Sequence, residues 1–358
     1  MTKFILRRLV QAIPTFFGIT ILSYLLMVGA PGGPVAALTF NPRMTPQERD
    51  AFAARLGVND PIPIQYLRWL LGDDWMRFDK DGDGIADGSV LIPLDANNDG
   101  VPDDPGHRRG ILRGDFGDSF FQRRPVLDII VERIPATFEL GVTALVISVL
   151  LGVPIGILAA IRHGGVFDNI TRIMAVLFNA VPSFWLGLLL ILFFGSRLGV
   201  LPMGSQCATT LKGGCPPIYQ RLNYLLLPAL VLAVGPVASY SRFMRASMLE
   251  TISKDYIRTA QAKGLSPRAV WFQHAARNAL IPLATFLGLA ITGVLGGAAV
   301  IETIFSWPGL GRLAVSAVVQ QDYPIVMATV ILTATATLLG LVLTDVLYGY
   351  IDPRIRFS

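Results

Sequence analysis

Six stretches of 20 or more residues contain no charged side chain: Leu9–Val28, Leu140–Ile161, Ile173–Ser196, Leu222–Ser241, Asn278–Ile301 and Tyr323–Thr344. A helix needs about 20 predominantly apolar residues to cross the roughly 30 Å hydrocarbon core of a bilayer. The pattern therefore predicts an all-α integral membrane protein with six transmembrane helices. Composition agrees, with 53% hydrophobic and 15% charged residues against roughly 25% charged in soluble domains. A simple soluble enzyme is excluded. Lys3, Arg7, Arg8 and Val28-Gly29-Ala30 also fit a signal peptide and its cleavage site, the alternative for the first run. That run exceeds the usual apolar core of about 7 to 15 residues, and Pro31 would follow the cut.

Orientation is read from the basic residues flanking the spans. Lys3, Arg7 and Arg8 place the N-terminus in the cytoplasm, and alternation puts Arg162, the segment from Arg242 to Arg277, and Arg354 and Arg356 on the same side. Residues of about 31 to 136, 197 to 221 and 302 to 322 then lie outside. The chain divides into 1–30 with the first span, an extracytoplasmic region 31–136, and a core 137–358 carrying the other five. No Asp, Glu, Lys, Arg or His lies inside a span, which argues against a proton relay or voltage sensor and predicts that energy comes from another protein. Pro154, Pro182, Pro228, Pro236 and Pro282 fall in the runs, where neighbouring helices satisfy freed backbone groups. Gly293 and Gly297 form a GxxxG face, read as ordinary packing or as contact with a second subunit.

The net charge of +5 joins unlike parts, since ten Asp between Asp73 and Asp104 face only Arg77 and Lys80. Basic charge spread among apolar runs suits cytoplasmic membrane loops better than nucleic acid. The longest cytoplasmic segment, 250–277, predicts a helix up to Lys263, a left-handed cap at Gly264, and a second helix opened by Ser266-Pro267. A segment lying on the lipid surface and a dock for a cytoplasmic protein both fit it.

Tyr256-Ile257-Arg258-Thr259-Ala260-Gln261-Ala262-Lys263-Gly264-Leu265-Ser266 through Arg277 to Pro282 resembles the loop of ABC-importer permeases that seats on the ATPase. Arg258-Thr259-Ala260 occupies the place of the general EAA triplet, with only Ala260 matching. Further likeness runs through Phe4 to Leu9, Arg55-Leu56-Gly57, Gly114-Asp115-Phe116-Gly117, Arg133 to Thr137, Glu302 to Gly311 and Asp352 to Arg356. Together they resemble the B-type subunit of the dipeptide and oligopeptide permease family. The resemblance implies a type I ABC-importer permease of a prokaryotic inner or plasma membrane, without catalytic residues. It also implies a C-type permease partner, two cytoplasmic ATPases, an extracytoplasmic peptide-binding protein and a peptide substrate. Tyr256, Arg258, Thr259, Ala260, Lys263, Gly264 and Leu265 are then the ATPase-coupling residues. The chain has no GxxxxGK[ST] phosphate loop, so partners are expected to bind the ATP. A nickel-chelate or other small-solute importer is the near alternative, and a calcium-gated channel the distant one.

Residues 73–113 form an acidic insertion that the family does not normally carry. It repeats the pattern D-x-[DN]-x-D-G-[IV]-x-D: once with Asp79, Asp81, Asp83, Ile85 and Asp87, once with Asp95, Asn97, Asp99, Val101 and Asp103. Positions 1, 3, 5 and 9 supply side-chain oxygens and position 7 a carbonyl, an oxygen set suited to calcium. Val90 and Gly106 replace the glutamate at position 12 of an EF-hand, so the phrases look like the shorter loops of dockerin and thrombospondin type 3 repeats. A solvated acidic loop is the alternative. Cys207 and Cys215, the only cysteines, fall in an outer loop and are expected to pair. Asn179, Ser183 and Thr292 are polar residues within spans, suited to line a pathway or to bond between helices. Trp307-Pro308-Gly309 reads as a structural turn at the outer interface rather than a peptide site, and the scattered His107, His163 and His274 suggest no metal.

Overall fold

The computed structural model describes residues 2–30, 61–72, 109–208, 215–296 and 298–351. Those residues are helical throughout, apart from turns and one isolated bridge between Asp118 and Pro125. They form two compact units. One gathers Met1–Ile13, Arg133–Leu313 and Thr333–Ser358, and the other Pro14–Glu132 and Ala314–Leu332.

Among the described residues four helices are long and apolar enough to span: α1 (Thr2–Val28), α4 (Ile134–Ile161), α7 (Leu222–Ile252) and α12 (Tyr323–Ile351). Short α2 (Ile62–Leu71) and α3 (Val126–Val131) come between α1 and α4. The expected third span is broken. α5 (Val166–Ala180) and α6 (Ser183–Leu190), which winds on as a π-helix over Ile191–Arg197, meet at 98°. Pro182 has no amide hydrogen and drives Val181 to extended backbone (φ −77°, ψ 123°), so the helix cannot run through.

In place of the expected fifth span stands α9 (Arg277–Gly296), which begins earlier than the charges suggest and is not among the spanning helices. The described residues thus offer four spans, or five with the bent pair, against the six expected. The helix opened at Pro267 passes as a π-helix through Ala269–Ala276 directly into α9, because no glycine or proline interrupts 268–281. Beyond Ala298 follow α10 (Ala299–Ile304) and α11 (Leu310–Val319).

In the larger unit α4 and α7 pack backbone to backbone. A Cβ on Gly152 would lie 2.9 Å from the Val237 carbonyl oxygen, and one on Gly156 2.5 Å from that of Ser241. This GxxxG face, hidden in an apolar run, makes a close helix–helix contact within the chain. A Cβ on Gly293 would meet open space, and Gly297 lies outside the described residues.

The smaller unit folds α2 back on the outer half of α1. Tyr24, 5% exposed, packs its ring 5.6 Å from that of Tyr66 and 5.1 Å from that of Trp69. Gly72, just before the acidic insertion, and Gly110, near its end, touch one another. Gly110 (φ +75°) has no room for a Cβ against the backbone of Gly72. The Arg113 guanidinium donates to the Leu71 carbonyl. Asp115 accepts from the amides of Arg109 (3.1 Å) and Gly117 (3.0 Å), which gives the Gly114-Asp115-Phe116-Gly117 phrase a structural role at this neck. The chain before residue 73 and the chain after residue 108 thus meet at one neck.

Candidate coupling site

Ile252 ends α7, and a turn at Ser253 and Lys254 opens α8 (Asp255–Ala262). Two of its residues face inward. Ile257, fully buried, and Ala260, 6% exposed, join Met244 and Met248 of α7, Val153 and Ile157 of α4, and Ala276, Ala279 and Leu283 of the following helix in one core cluster. Burying a side chain the size of Ile257 contributes about 1.5–3 kcal/mol, enough to fix a two-turn helix that could not persist alone.

The cap expected at Gly264 is present. Gly264 sits at φ +75°, its amide donates to Gln261 O (2.9 Å) and the Leu265 amide to Ala260 O (3.4 Å), the paired bonds of a Schellman motif. Ser266 caps the next helix, accepting from the Ala269 amide at 3.4 Å. The outward surface then carries Tyr256 (46% exposed), Arg258, Thr259, Lys263, Gly264 and Leu265 (42%), six of the seven residues nominated from the sequence. Ala260 alone of the seven turns to the core and anchors the helix. Arg258 pairs loosely with Asp255 at 3.5 Å and stays open to solvent. Weak exposed pairs of this kind leave the charges available to a partner.

The remaining candidates lie apart from this surface. Asn179 and Ser183 are exposed and flank the bend at Val181-Pro182, with Asn179 donating to Ala175 O (2.8 Å). Thr292 is in α9, and its side chain is outside those described. The calcium-loop residues 79–103 also fall outside the described residues, and no metal-ligand cluster occurs among the described ones.

Cys207 and Cys215 are joined in a disulfide with Cα atoms 5.7 Å apart, as expected. Their loop is tied to the core: Gln206 Nε2 and Arg221 Nη2 each donate to Glu139 Oε2 at 2.9 Å, and the Ser205 amide donates to Phe305 O at 2.7 Å.

The Glu302–Gly311 phrase folds into a buried plug, confirming a structural turn at Trp307. Trp307 is fully buried and its Nε1 donates to Ala136 O (2.8 Å). Glu302, also fully buried, accepts from the Thr137 hydroxyl (3.2 Å) and the amides of Ala298 (3.2 Å) and Arg312 (2.8 Å). A Cβ on Gly309 would collide with its carboxylate, and one on Gly311 would lie 2.6 Å from Ala299 Cα. Only glycine fits at either position.

One pairing carried no sequence signal. Arg245 of α7 grips Asp168 of α5 with both arms of its guanidinium, Nε to Oδ1 at 2.5 Å and Nη2 to Oδ2 at 2.8 Å, across 77 residues.

Two family models match. Binding-protein-dependent transport system inner membrane component covers residues 152–357, and the N-terminal model of such membrane components covers 1–80. The chain belongs to this family. It is a multi-pass inner-membrane permease component of a transport system, without a catalytic site of its own. Relatives align over their full lengths. The oligopeptide transport system permease protein AppB of Bacillus subtilis is 34% identical over 100% of both chains. The dipeptide transport system permease protein DppB of Escherichia coli K12 is 35% identical over 99% of both. The di/tripeptide permease protein DppB of Pseudomonas aeruginosa is 34% identical over 99% of both. A solved chain of the inward-facing MetNI methionine ABC transporter aligns with 63% of this chain and 96% of its own at TM-score 0.49 and 16% identity, too loosely to inform the fold.

Proposed function

We propose that this permease belongs to an ATP-driven importer of dipeptides and oligopeptides. The observation that carries the reading is full-length similarity, at 34–35% identity, to permeases named for those substrates. It pairs with a related C-type permease, and the two form the pathway between them. Two cytoplasmic ATPases bind and split ATP, and an extracytoplasmic protein delivers the peptide. The surface formed by Tyr256, Arg258, Thr259, Lys263, Gly264 and Leu265 receives the ATPase. A short helix sealed to the core by Ile257 and Ala260 moves as a rigid body, so force on its outer face passes to α7 and α9. The disulfide supports the orientation, since such bonds persist in oxidising compartments. Uptake of labelled peptides by the reconstituted complex tests the substrate class; uptake of a nickel chelate in place of peptide would refute it.

We further propose that the acidic insertion binds calcium outside the membrane, through Asp79, Asp81, Asp83, the Ile85 carbonyl and Asp87 in one loop and Asp95, Asn97, Asp99, the Val101 carbonyl and Asp103 in the other. Duplication of the pattern supports this, as do the touching glycines at its base, which let the segment form a separate cap. Calorimetry on the purified protein should show calcium binding that Asp83→Asn with Asp99→Asn abolishes. Absence of binding at millimolar calcium removes the proposal.

A further inference from the structure

Both halves of the bent helix pair pack on α7. Near the coupling site the contact includes the Asp168–Arg245 pair, whose carboxylate is 1% exposed and whose guanidinium is 19% exposed. Asp168 also accepts from the Gly164 amide at 2.9 Å, so the same carboxylate closes the turn between α4 and α5. Arg245 directly follows Met244, one of the residues on which α8 is seated. Further along, Leu186 and Leu190 of α6 pack on a cluster of Leu227, Val231, Ile301 and Phe305. A Cβ on Gly187 would lie 3.3 Å from the Phe305 ring, so α6 rests closely on the plug. Leu227 and Met244 are 17 residues apart in α7, about 25 Å at 1.5 Å per residue. Between the two attachments lies the 98° bend at Val181-Pro182, flanked by the exposed Asn179 and Ser183.

α5 packs along α7 and against the end of α4, but it buries little of its own surface. Asp168 and Ala175 are its only buried residues, while Val166, Ile170, Ile173 and Val176 are more than half exposed. A bidentate guanidinium–carboxylate fork fixes distance and angle together, which apolar contact does not.

We propose that Asp168 and Arg245 are positioning residues for energy coupling: they form the joint through which movement of the docked helix α8 reaches the bent pair and, through it, the plug at Phe305. The inference rests on the reading of this chain as an ATP-driven permease. Displacement of α8 carries the adjoining stretch of α7, the fork turns α5 with it, and the bend at Pro182 converts that turn into a shift of α6 against Phe305. Without the fork, α7 moves and α5 lags.

The test uses the complete importer in proteoliposomes, with peptide uptake and ATP hydrolysis measured on the same preparation. In Asp168→Asn, uptake should fall at least tenfold while basal hydrolysis continues, hydrolysis should lose its stimulation by peptide-loaded binding protein, and half-saturating peptide should be unchanged. Asp168→Glu should recover stimulation in part. Arg245→Lys, which keeps the charge and loses the fork, should show an intermediate number of peptides moved per ATP. Uptake and stimulation that stay at wild-type values overturn the proposal. So do losses that follow assembly yield alone, or failure of both Asp168→Asn and Arg245→Lys to assemble, since each leaves the pair a purely structural role. If the wild-type complex itself shows no ATP-driven peptide uptake, the functional reading fails, and that result is distinct from a working wild type with unaffected variants.

Discussion

Gly264→Arg separates the stability of the permease from the strength of its dock. Gly264 is at φ +75°, and a Cβ there would meet no atom within 4 Å. The cost inside the chain is therefore backbone strain alone, roughly 1–2 kcal/mol for an L-residue in the left-handed region. A change of that size opens the cap about 5- to 30-fold more often. It should appear as faster hydrogen exchange at the Gly264 and Leu265 amides, which hold the two cap bonds. Melting of the purified permease should move by no more than a few degrees. Gly264→Ala bears nearly the same strain without the long side chain, and Gly264→Asn bears less because asparagine tolerates this backbone. In the assembled importer the arginine projects from the surface proposed to hold the ATPase. Peptide uptake should fall at least tenfold further in Gly264→Arg than in Gly264→Ala, a difference of about 1.4 kcal/mol or more, with a parallel loss of ATPase on co-purification. Equal losses in the two variants would assign the effect to strain, and retained uptake in Gly264→Arg would refute docking at this site.

Other consequences can be checked on the isolated permease. Gly156→Val forces α4 away from Ser241 O and Met244 Cβ, which lie 2.5 and 2.8 Å from a new Cβ; it should destabilise by about 1–3 kcal/mol, whereas Gly235→Ala, which meets no atom within 4 Å, should bring no such clash and change thermal unfolding in detergent by about 1 kcal/mol at most. Glu302→Gln places an amide NH2 where the carboxylate accepted from backbone amides, so at least one donor loses its partner and unfolding should come about 1–3 kcal/mol sooner. Cys207→Ser should lower stability by about 2–3 kcal/mol, the loop-closure value for a separation of 8 residues, and intact mass of the wild type should rise by two hydrogens on reduction.

The membrane architecture was legible because charge is so costly in hydrocarbon that it marks where spans stop. The same marks were too coarse inside the runs. Ile173–Ser196 reads as one helix by hydropathy, yet Pro182 turns it through 98°. Among the GxxxG pairs, Gly293–Gly297 is conspicuous in a glycine-rich stretch, while Gly152–Gly156, with Pro154 between, makes the tight α4–α7 contact. In the coupling site the cap at Gly264 followed from local chemistry alone, a glycine closing a helix before Ser-Pro. Which helical face lies inward depends on α4 and α9, so Ala260, part of the recognised motif, proved to be an anchor beside Ile257. The Asp168–Arg245 fork joins two flanks that sequence separates by 77 residues, and neither residue stands out from the other charges around it. The plug was visible as a phrase, but the burial of Glu302 at its centre arises from the fold of 298–312 around one carboxylate.

The most direct test is to purify the complex through a tag on this chain alone, place it in vesicles with the peptide-binding protein, and measure entry of a labelled dipeptide. ATPase subunits should co-purify, and entry should require ATP and the binding protein and vanish when this chain is omitted. Isolation without any ATPase, or solute crossing at the same rate in the absence of ATP, would contradict the reading of the chain as a permease driven through the surface around Gly264.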